Sequence, residues 1–274
     1  MTINCKGKLI DLSTPKIMGI LNLTPDSFYD GGKYKNESEI LSQVYIMLKN
    51  EATFVDIGAY SSRPNAKHIS ETEELKRLLP IITLLVKEFP EIIISTDTFR
   101  STVAKESVAA GAALINDISA GKLDTNMLAT VASLHVPYIM MHLKGTPQNM
   151  QQQTDYKNIL KEILFYFSER IASAKKHGIK DIVIDPGFGF AKNTKQNFEL
   201  LNSLQHFKNL EFPLLIGVSR KSMIYKTLKN SPQEALNGTT VLNTLALQKG
   251  ANILRVHDVK EAVEAVKLIQ ELKN

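Results

Sequence analysis

The chain has 274 residues and lacks most of the features that would give it an unusual address or chemistry. Cys5 is the only cysteine, which excludes an intrachain disulfide and any metal site built on cysteine. No basic segment followed by an apolar one opens the sequence, so a signal peptide is not expected. The most apolar stretch, residues 78–89, is broken by Pro80 and Lys87 and is too short to span a bilayer. The net charge of +5 is not gathered into a lysine block or interleaved with aromatics, so nucleic acid is not an expected partner. A pocket for an anionic small molecule stays compatible with that charge. With 43% hydrophobic residues and only 10 prolines, the chain can bury a large core, and a cytoplasmic location is expected.

What the sequence does contain is one repeated unit: a helix end, a small-residue break, a run of branched apolar residues and a polar residue. It occurs at residues 51–56, 111–116, 178–185 and 250–255. Gly111, Gly178 and Gly250 suit the left-handed position just past a helix. Between these copies lie further strand-like runs at 16–21, 92–96, 138–141 and 214–217, which makes eight candidate strands. Amphipathic helical spacing covers 70–89, 100–110, 156–177, 238–249 and 259–272. Ser70 and Glu73 form a capping-box pattern, and Pro80 predicts a kink in the first of these helices. Strands alternating with helices imply a parallel sheet, and eight repeats in this length predict a single (β/α)₈ TIM-type barrel domain over 1–274. A doubly wound open sheet is the alternative, but no Gly-x-Gly-x-x-Gly follows the first strand.

The residues that close the predicted strands are Asn22, Asp56, Asp97, Asn116, His142, Asp185, Ser219, and Arg255 with His257. At the C-terminal ends of barrel strands these would converge on one mouth. Asp97, Asn116 and Asp185 offer two carboxylates and an amide, which suit the edge of a flat heterocycle of the amino-pyrimidinone kind. Three strand-end caps, or less readily a metal cluster, are the other readings. Ser219-Arg-Lys-Ser222 and Arg255-Val-His257 follow strands seven and eight, where barrels of this kind often hold phosphate. A solvated basic face is the plainer reading of the same residues. Asn22 could lend its carbonyl oxygen to Mg²⁺ beside a phosphate, or simply form an Asx turn. Residues 24–36 and 58–69 are long, rich in turn formers, and expected to be mobile active-site loops, the second bringing Arg63 as a further cation.

Met18-Gly-Ile-Leu-Asn-Leu-Thr-Pro-Asp-Ser-Phe28, Ser61-Ser-Arg-Pro64, Asp185-Pro-Gly-Phe-Gly-Phe190, Ser219-Arg-Lys-Ser-Met-Ile224 and Arg255-Val-His-Asp-Val259 together resemble the bacterial dihydropteroate synthase family. The resemblance runs from Met18 to Val259 in the family's order. It implies a transferase of folate synthesis, commonly a homodimer, joining 6-hydroxymethyl-7,8-dihydropterin diphosphate to 4-aminobenzoate and inhibited by sulfonamides. It assigns the pterin to Asp97, Asn116, Met141, Asp185, Phe190, Gly217 and Lys221. The diphosphate falls to Asn22, Ser62, Arg63, Arg255 and His257, with Asn22 as Mg²⁺ ligand. The aminobenzoate pocket falls to Phe28, Ser62, Pro64, Phe190, Ser219 and Lys221, and Arg63, Asp185 and Lys221 take the catalytic roles. Five positions depart from the family pattern: Tyr60 replaces Glu, Ser62 replaces Thr, and Ala59, Asn65 and Ala191 replace Gly. Tyr60 puts the resting contacts of the second loop in question, and Ala191 should stiffen its turn. A pterin-binding methyltransferase and a non-catalytic pterin-binding paralogue are the neighbouring alternatives.

Overall fold

The computed structural model describes residues 1–23, 37–62 and 68–272. The chain opens with a two-stranded antiparallel hairpin, β1 (Thr2–Cys5) and β2 (Lys8–Asp11). Lys6 and Gly7 both have positive φ, the two-residue turn whose twist matches paired strands. Eight parallel strands follow: β3 (Lys16–Asn22), β4 (Phe54–Gly58), β5 (Ile94–Asp97), β6 (Leu114–Asp117), β7 (Tyr138–Met141), β8 (Ile182–Asp185), β9 (Leu215–Ile216) and β10 (Ile253–Val256). Their order is β8-β7-β6-β5-β4-β3-β10-β9, and a parallel bridge from Ile184 to Leu214 closes the ring. The (β/α)₈ barrel expected from the sequence is present.

Helices fill the gaps: α1 (Glu37–Lys49), α2 (Glu71–Glu88), α3 (Ser101–Ala110), α4 (Met127–Leu134), α5 (Ile159–His177), α6 (Thr194–Asn202), α7 (Ser222–Leu228), α8 (Leu236–Gln248) and α9 (Val259–Glu271). Gly111 and Gly178 do end α3 and α5 at positive φ. Pro80 lies inside α2, which spans Glu71–Glu88. One local expectation is corrected. The capping box is only half made, because Ser70 caps the Glu73 amide while the Glu73 carboxylate turns to Arg77 at 2.7 Å. An arginine one turn away offers a charge-assisted bond that outcompetes a neutral amide.

Period-two alternation sorts the barrel strands into two cores. Ile17, Leu21, Val55, Ile57, Ile115, Tyr138, Met140, Ile182, Ile184 and Leu254 join one buried cluster with the helices. Met18, Phe54, Leu114, Ile139, Val183, Leu215 and Ile253 join another, together with Ile3, Cys5, Ile10 and Leu12. The hairpin therefore plugs the floor of the barrel, an element for which the sequence reading made no provision. Phe54 is fully buried there, and Phe54→Ala would cost about 3–5 kcal/mol. Burial pushes the Cys5 thiol up to about 12, with Asp181 adding to the effect, so this cysteine is chemically inert. Gly19 lets α1 and α9 approach the barrel wall, since a Cβ there would meet Met47 Sδ at 2.8 Å and Val259 Cγ2 at 3.2 Å.

Candidate active site

The alternation that builds the floor also builds the site. Two residues beyond each floor residue comes an inward position of different chemistry: Asp56 above Phe54, Asn116 above Leu114, Met141 above Ile139, Asp185 above Val183, Gly217 above Leu215 and Arg255 above Ile253. Asn22, Asp97, Ser219 and His257 follow near the strand ends. A cavity of about 500 Å³ opens here. Asn22, Ser62, Asp97, Asn116, Met141, Asp185, Phe190, Gly217, Ser219, Lys221, Arg255 and His257 all line it. Every residue that the resemblance assigned to a ligand and that falls among the described residues thus lines one cavity. Phe28, Arg63 and Pro64 lie outside the described residues, as do 24–36 and 63–67 of the two expected loops.

Its floor is a charged network. Arg255 donates from Nε to Asp56 at 2.6 Å and from Nη2 to Asp97 at 2.9 Å. Asn116 Nδ2 donates to the same oxygen of Asp56 at 3.0 Å. Three carboxylates raise the Arg255 pKa despite the burial that opposes its charge. Burial drives Asp97 the other way, up to about 7, even though Arg255 opposes the shift and a fifth of the Asp97 side chain is exposed. Asp185 is also raised by burial, against the pull of Lys221. One of its oxygens accepts from the Gly187 amide at 2.8 Å, which fixes the carboxylate at the start of the turn.

Lys221 stands across from Asp185. Its ammonium donates to the Phe188 carbonyl and lies 4.9 Å above the Phe190 ring. Burial lowers its pKa to about 8, with Asp185 opposing. The neighbouring Arg220 sets this position. It adopts a left-handed φ of 52°, is nearly buried, and forks onto Asp258 at 2.9 and 2.7 Å while also donating to the carbonyls of Pro232 and Gln233. Ser219 then meets His257 Nδ1 at 3.0 Å, which ties the loop after β9 to the end of β10.

The Asp185-Pro-Gly-Phe-Gly-Phe190 turn is held from its outer side by Lys192, which is 3% exposed. Its ammonium donates to Gly187 O at 2.8 Å and Phe190 O at 2.9 Å, and sits 3.0 Å from His142 Nδ1. Ala191 takes φ 50°, a conformation that costs a residue with a Cβ about 1–2 kcal/mol. Tyr156 Oη donates to its carbonyl at 3.0 Å and helps hold it. Tyr60 has resting contacts of its own. Its hydroxyl accepts from Gln148 at 2.6 Å and lies 3.2 Å from His68 Nδ1, and its ring meets Phe99 edge-on.

Two strand-end residues do not reach the mouth. His142 packs behind β7 between Tyr156 and Tyr166, because it is one residue past Met141 and alternation turns it outward. Asp56 points inward but lies beneath the cavity, with no solvent exposure. The sequence reading also missed Ile20, Tyr60, Met150, Gln151, Tyr225 and Lys226 in the lining. Met150 and Gln151 come from a short 3₁₀ turn, Met150–Gln152, in the connection after β7. The length of that connection was the available signal. Among the described residues no three His, Cys, Asp or Glu side chains gather as a metal cluster.

A barrel with paired carboxylates and an amide below, and Lys221, Arg255 and His257 around them, defines an enzyme that binds a flat polar heterocycle carrying an anionic group. A family model described as pterin binding enzyme matches residues 18–257. The chain is 40% identical to the dihydropteroate synthase of Escherichia coli (strain K12) over 98% of this chain and 96% of that protein. It is likewise 40% identical to that of Haemophilus influenzae over the full length of both. Among solved structures, Yersinia pestis dihydropteroate synthase with a sulfonamide drug complex superimposes with a TM-score of 0.96 at 40% identity, covering 100% of this chain and 99% of that one. Xanthomonas albilineans dihydropteroate synthase with 4-aminobenzoic acid gives 0.91 at 37% identity, covering 99% and 98%. The chain belongs to the pterin-binding enzyme family, and within it to the dihydropteroate synthases.

Proposed function

We infer that the chain condenses 6-hydroxymethyl-7,8-dihydropterin diphosphate with 4-aminobenzoate to give 7,8-dihydropteroate and diphosphate. It is a transferase of folate biosynthesis. The observation that carries this reading is one cavity holding Asp97, Asn116 and Asp185 below and Ser219, Lys221 and His257 beside them. The carboxylates and amide take the donor edge of the pterin, with Met141 and Phe190 along its faces and Gly217 leaving room for it. The C–O bond to diphosphate breaks, and the arylamine nitrogen supplies the electron pair of the new C–N bond and then releases a proton. Positive charge developing on the pterin is stabilised by the fixed carboxylates, and the departing diphosphate by His257, Lys221, Arg63 and Ser62. Arg255 takes part through Nη1, which makes no bond among the described residues. The aminobenzoate ring takes the space bordered by Ser219, Lys221, Phe190 and Ser62, together with Phe28 and Pro64.

Asn22 lines the cavity as a single amide at the end of β3. That donor suits a Mg²⁺ ion that keeps its waters and arrives on the diphosphate, but would not hold a resident metal alone. When bound, the ion would neutralise charge on the leaving group. Tyr45 and Ile46, and Val241 and Leu268 on α8 and α9, are exposed apolar residues that support a homodimer, which light scattering would test. No described helix is long and apolar enough to cross a membrane, and a cytoplasmic site of action fits the pathway.

The decisive assay is diphosphate release from the pterin substrate with and without 4-aminobenzoate. Release that depends on the arylamine and yields 7,8-dihydropteroate is expected. Release that ignores it, or no turnover with intact pterin binding, would overturn the reading.

A further inference from the structure

Asp56 is the one acidic residue of the charged network that does not line the cavity, and its contacts determine what the cavity presents. It is wholly buried, and a single oxygen, Oδ2, accepts both from Asn116 Nδ2 at 3.0 Å and from Arg255 Nε at 2.6 Å. A carboxylate ion-paired with arginine can only accept. The amide of Asn116 therefore has one permitted orientation, with its nitrogen down toward Asp56. Among the described residues no group bonds its Oδ1, and Asn116 lines the cavity, so the carbonyl oxygen is what a ligand meets.

We propose that Asp56 is a positioning residue which, by locking the Asn116 amide and the Arg255 guanidinium, makes Asn116 an acceptor beside Asp97 and Asp185 for the hydrogen-bond donors of the heterocycle. Asn116 then adds a third acceptor to those of Asp97 and Asp185, where a free amide could turn and offer a donor. Arg255 is held in the same act, its Nε and Nη2 bonded to carboxylates. The other Asp56 oxygen, Oδ1, and the Ser95 hydroxyl are both buried without a partner among the described residues, and their residues are paired across β4 and β5. Such groups persist where a function constrains them or an ordered water joins them. The inference deepens the pterin-binding reading and rests on it.

The test is calorimetric titration of a 6-substituted dihydropterin into wild type, Asp56→Ala and Asp56→Asn. In Asp56→Ala nothing among the described residues accepts from Asn116 Nδ2, so the amide can turn over and show donors to donors. Affinity should drop by about tenfold or more. Asp56→Asn can set its carbonyl oxygen where Oδ2 stands, accepting from both Asn116 and Arg255, with its amide nitrogen at the Oδ1 position, so it should bind at least about threefold better than Asp56→Ala. Wild-type affinity in Asp56→Ala overturns the proposal. So does a loss that Asp56→Asn shares in full, since Asp56 would then act by its charge and not by the bonds it accepts.

Should Asp56→Ala fail to fold, the side-chain amide resonances of Asn116 in wild type decide. One Nδ2 proton should be shifted downfield and protected from solvent exchange both before and after the pterin is added, and two freely exchanging protons would refute the lock. A wild type that binds no pterin counts against the functional reading, while the amide measurement still judges the orientation.

Discussion

Arg220 is the residue on which the loop between β9 and α7 depends, and removing it gives a prediction whose size can be worked out. Its side chain is 6% exposed and that of Asp258 is 11% exposed, so the fork between them is largely withdrawn from water. Arg220→Ala leaves the Asp258 carboxylate without its arginine partner and removes one donor each from the carbonyls of Pro232, which keeps the Ala235 amide, and Gln233. Breaking one side of a buried pair costs about 3–5 kcal/mol. For a chain of this size that is a fall in Tm of about 6–20 °C. The backbone gives an internal check. At φ 52° any Cβ is strained, so Arg220→Gly should be less destabilised than Arg220→Ala by about 1 kcal/mol, although it loses the same fork. Urea unfolding followed by far-UV circular dichroism measures each variant. Arg220→Met/Asp258→Leu, which removes both charges, should recover at least half of the loss. A Tm change under about 2 °C in Arg220→Ala would refute the argument, because a stability gap that small could not come from an orphaned buried carboxylate.

Three further outcomes are expected. Asp185→Asn should lose pterin affinity by about 1–3 kcal/mol while the fold survives, because an amide sets a donor against ring donors; unchanged calorimetric binding would remove Asp185 from the site. The rate should fall on both sides of a narrow optimum, as Asp97 gains a proton when pH drops through about 7 and Lys221 loses one when pH rises through about 8. The stability contributions have their own signs. Asp97 is raised in the fold, so its contribution is full below the ordinary value of 3.8 and is lost as pH rises through about 7. Lys221 is lowered, so its contribution is present above 10.5 and is lost as pH falls through about 8; a flat rate profile between pH 6 and 9, roughly the span of both titrations, would contradict the site electrostatics. Finally, 4-aminobenzoate should bind more tightly by about 1–3 kcal/mol once pterin, diphosphate and Mg²⁺ are present, and Arg63→Ala should abolish that coupling; equal affinity with and without the first ligands would sink the idea.

The barrel could be read in the sequence because every strand shows an apolar run and three of them, β6, β8 and β10, also follow a glycine just past the preceding helix. Gly111 and Gly178 are the clear cases. The site was legible for a related reason: polar residues ending buried strands have few uses besides chemistry. The misses share a cause, which is that inward or outward direction depends on register. His142 looked like Asp185 on paper, yet one residue of offset past Met141 turns it behind the sheet. Asp56 pointed the right way but ended lower, since β4 continues two residues beyond it to Gly58. Glu73 shows the limit of a local motif, because a side chain four residues away won its carboxylate. The hairpin at the floor gave no repeat to recognise, and only the tertiary packing of Ile3, Ile10 and Leu12 shows what it does.

The stacking of two kinds of residue along each strand has a consequence for how the protein tolerates change. In β4, Phe54 at the floor and Asp56 two residues on answer to different demands, one to remain folded and the other to remain specific. The same division holds in β6 for Leu114 and Asn116, in β8 for Val183 and Asp185, and in β10 for Ile253 and Arg255. A mutational scan should therefore sort by altitude in the barrel and not by strand. Damage low down would reduce the amount of protein, and damage high up, outside the buried Asp56–Arg255 ion pair, would leave abundant protein that turns over poorly. Resistance to an inhibitor could then arise in the upper storey at almost no cost in abundance, while the storey below stays closed to variation.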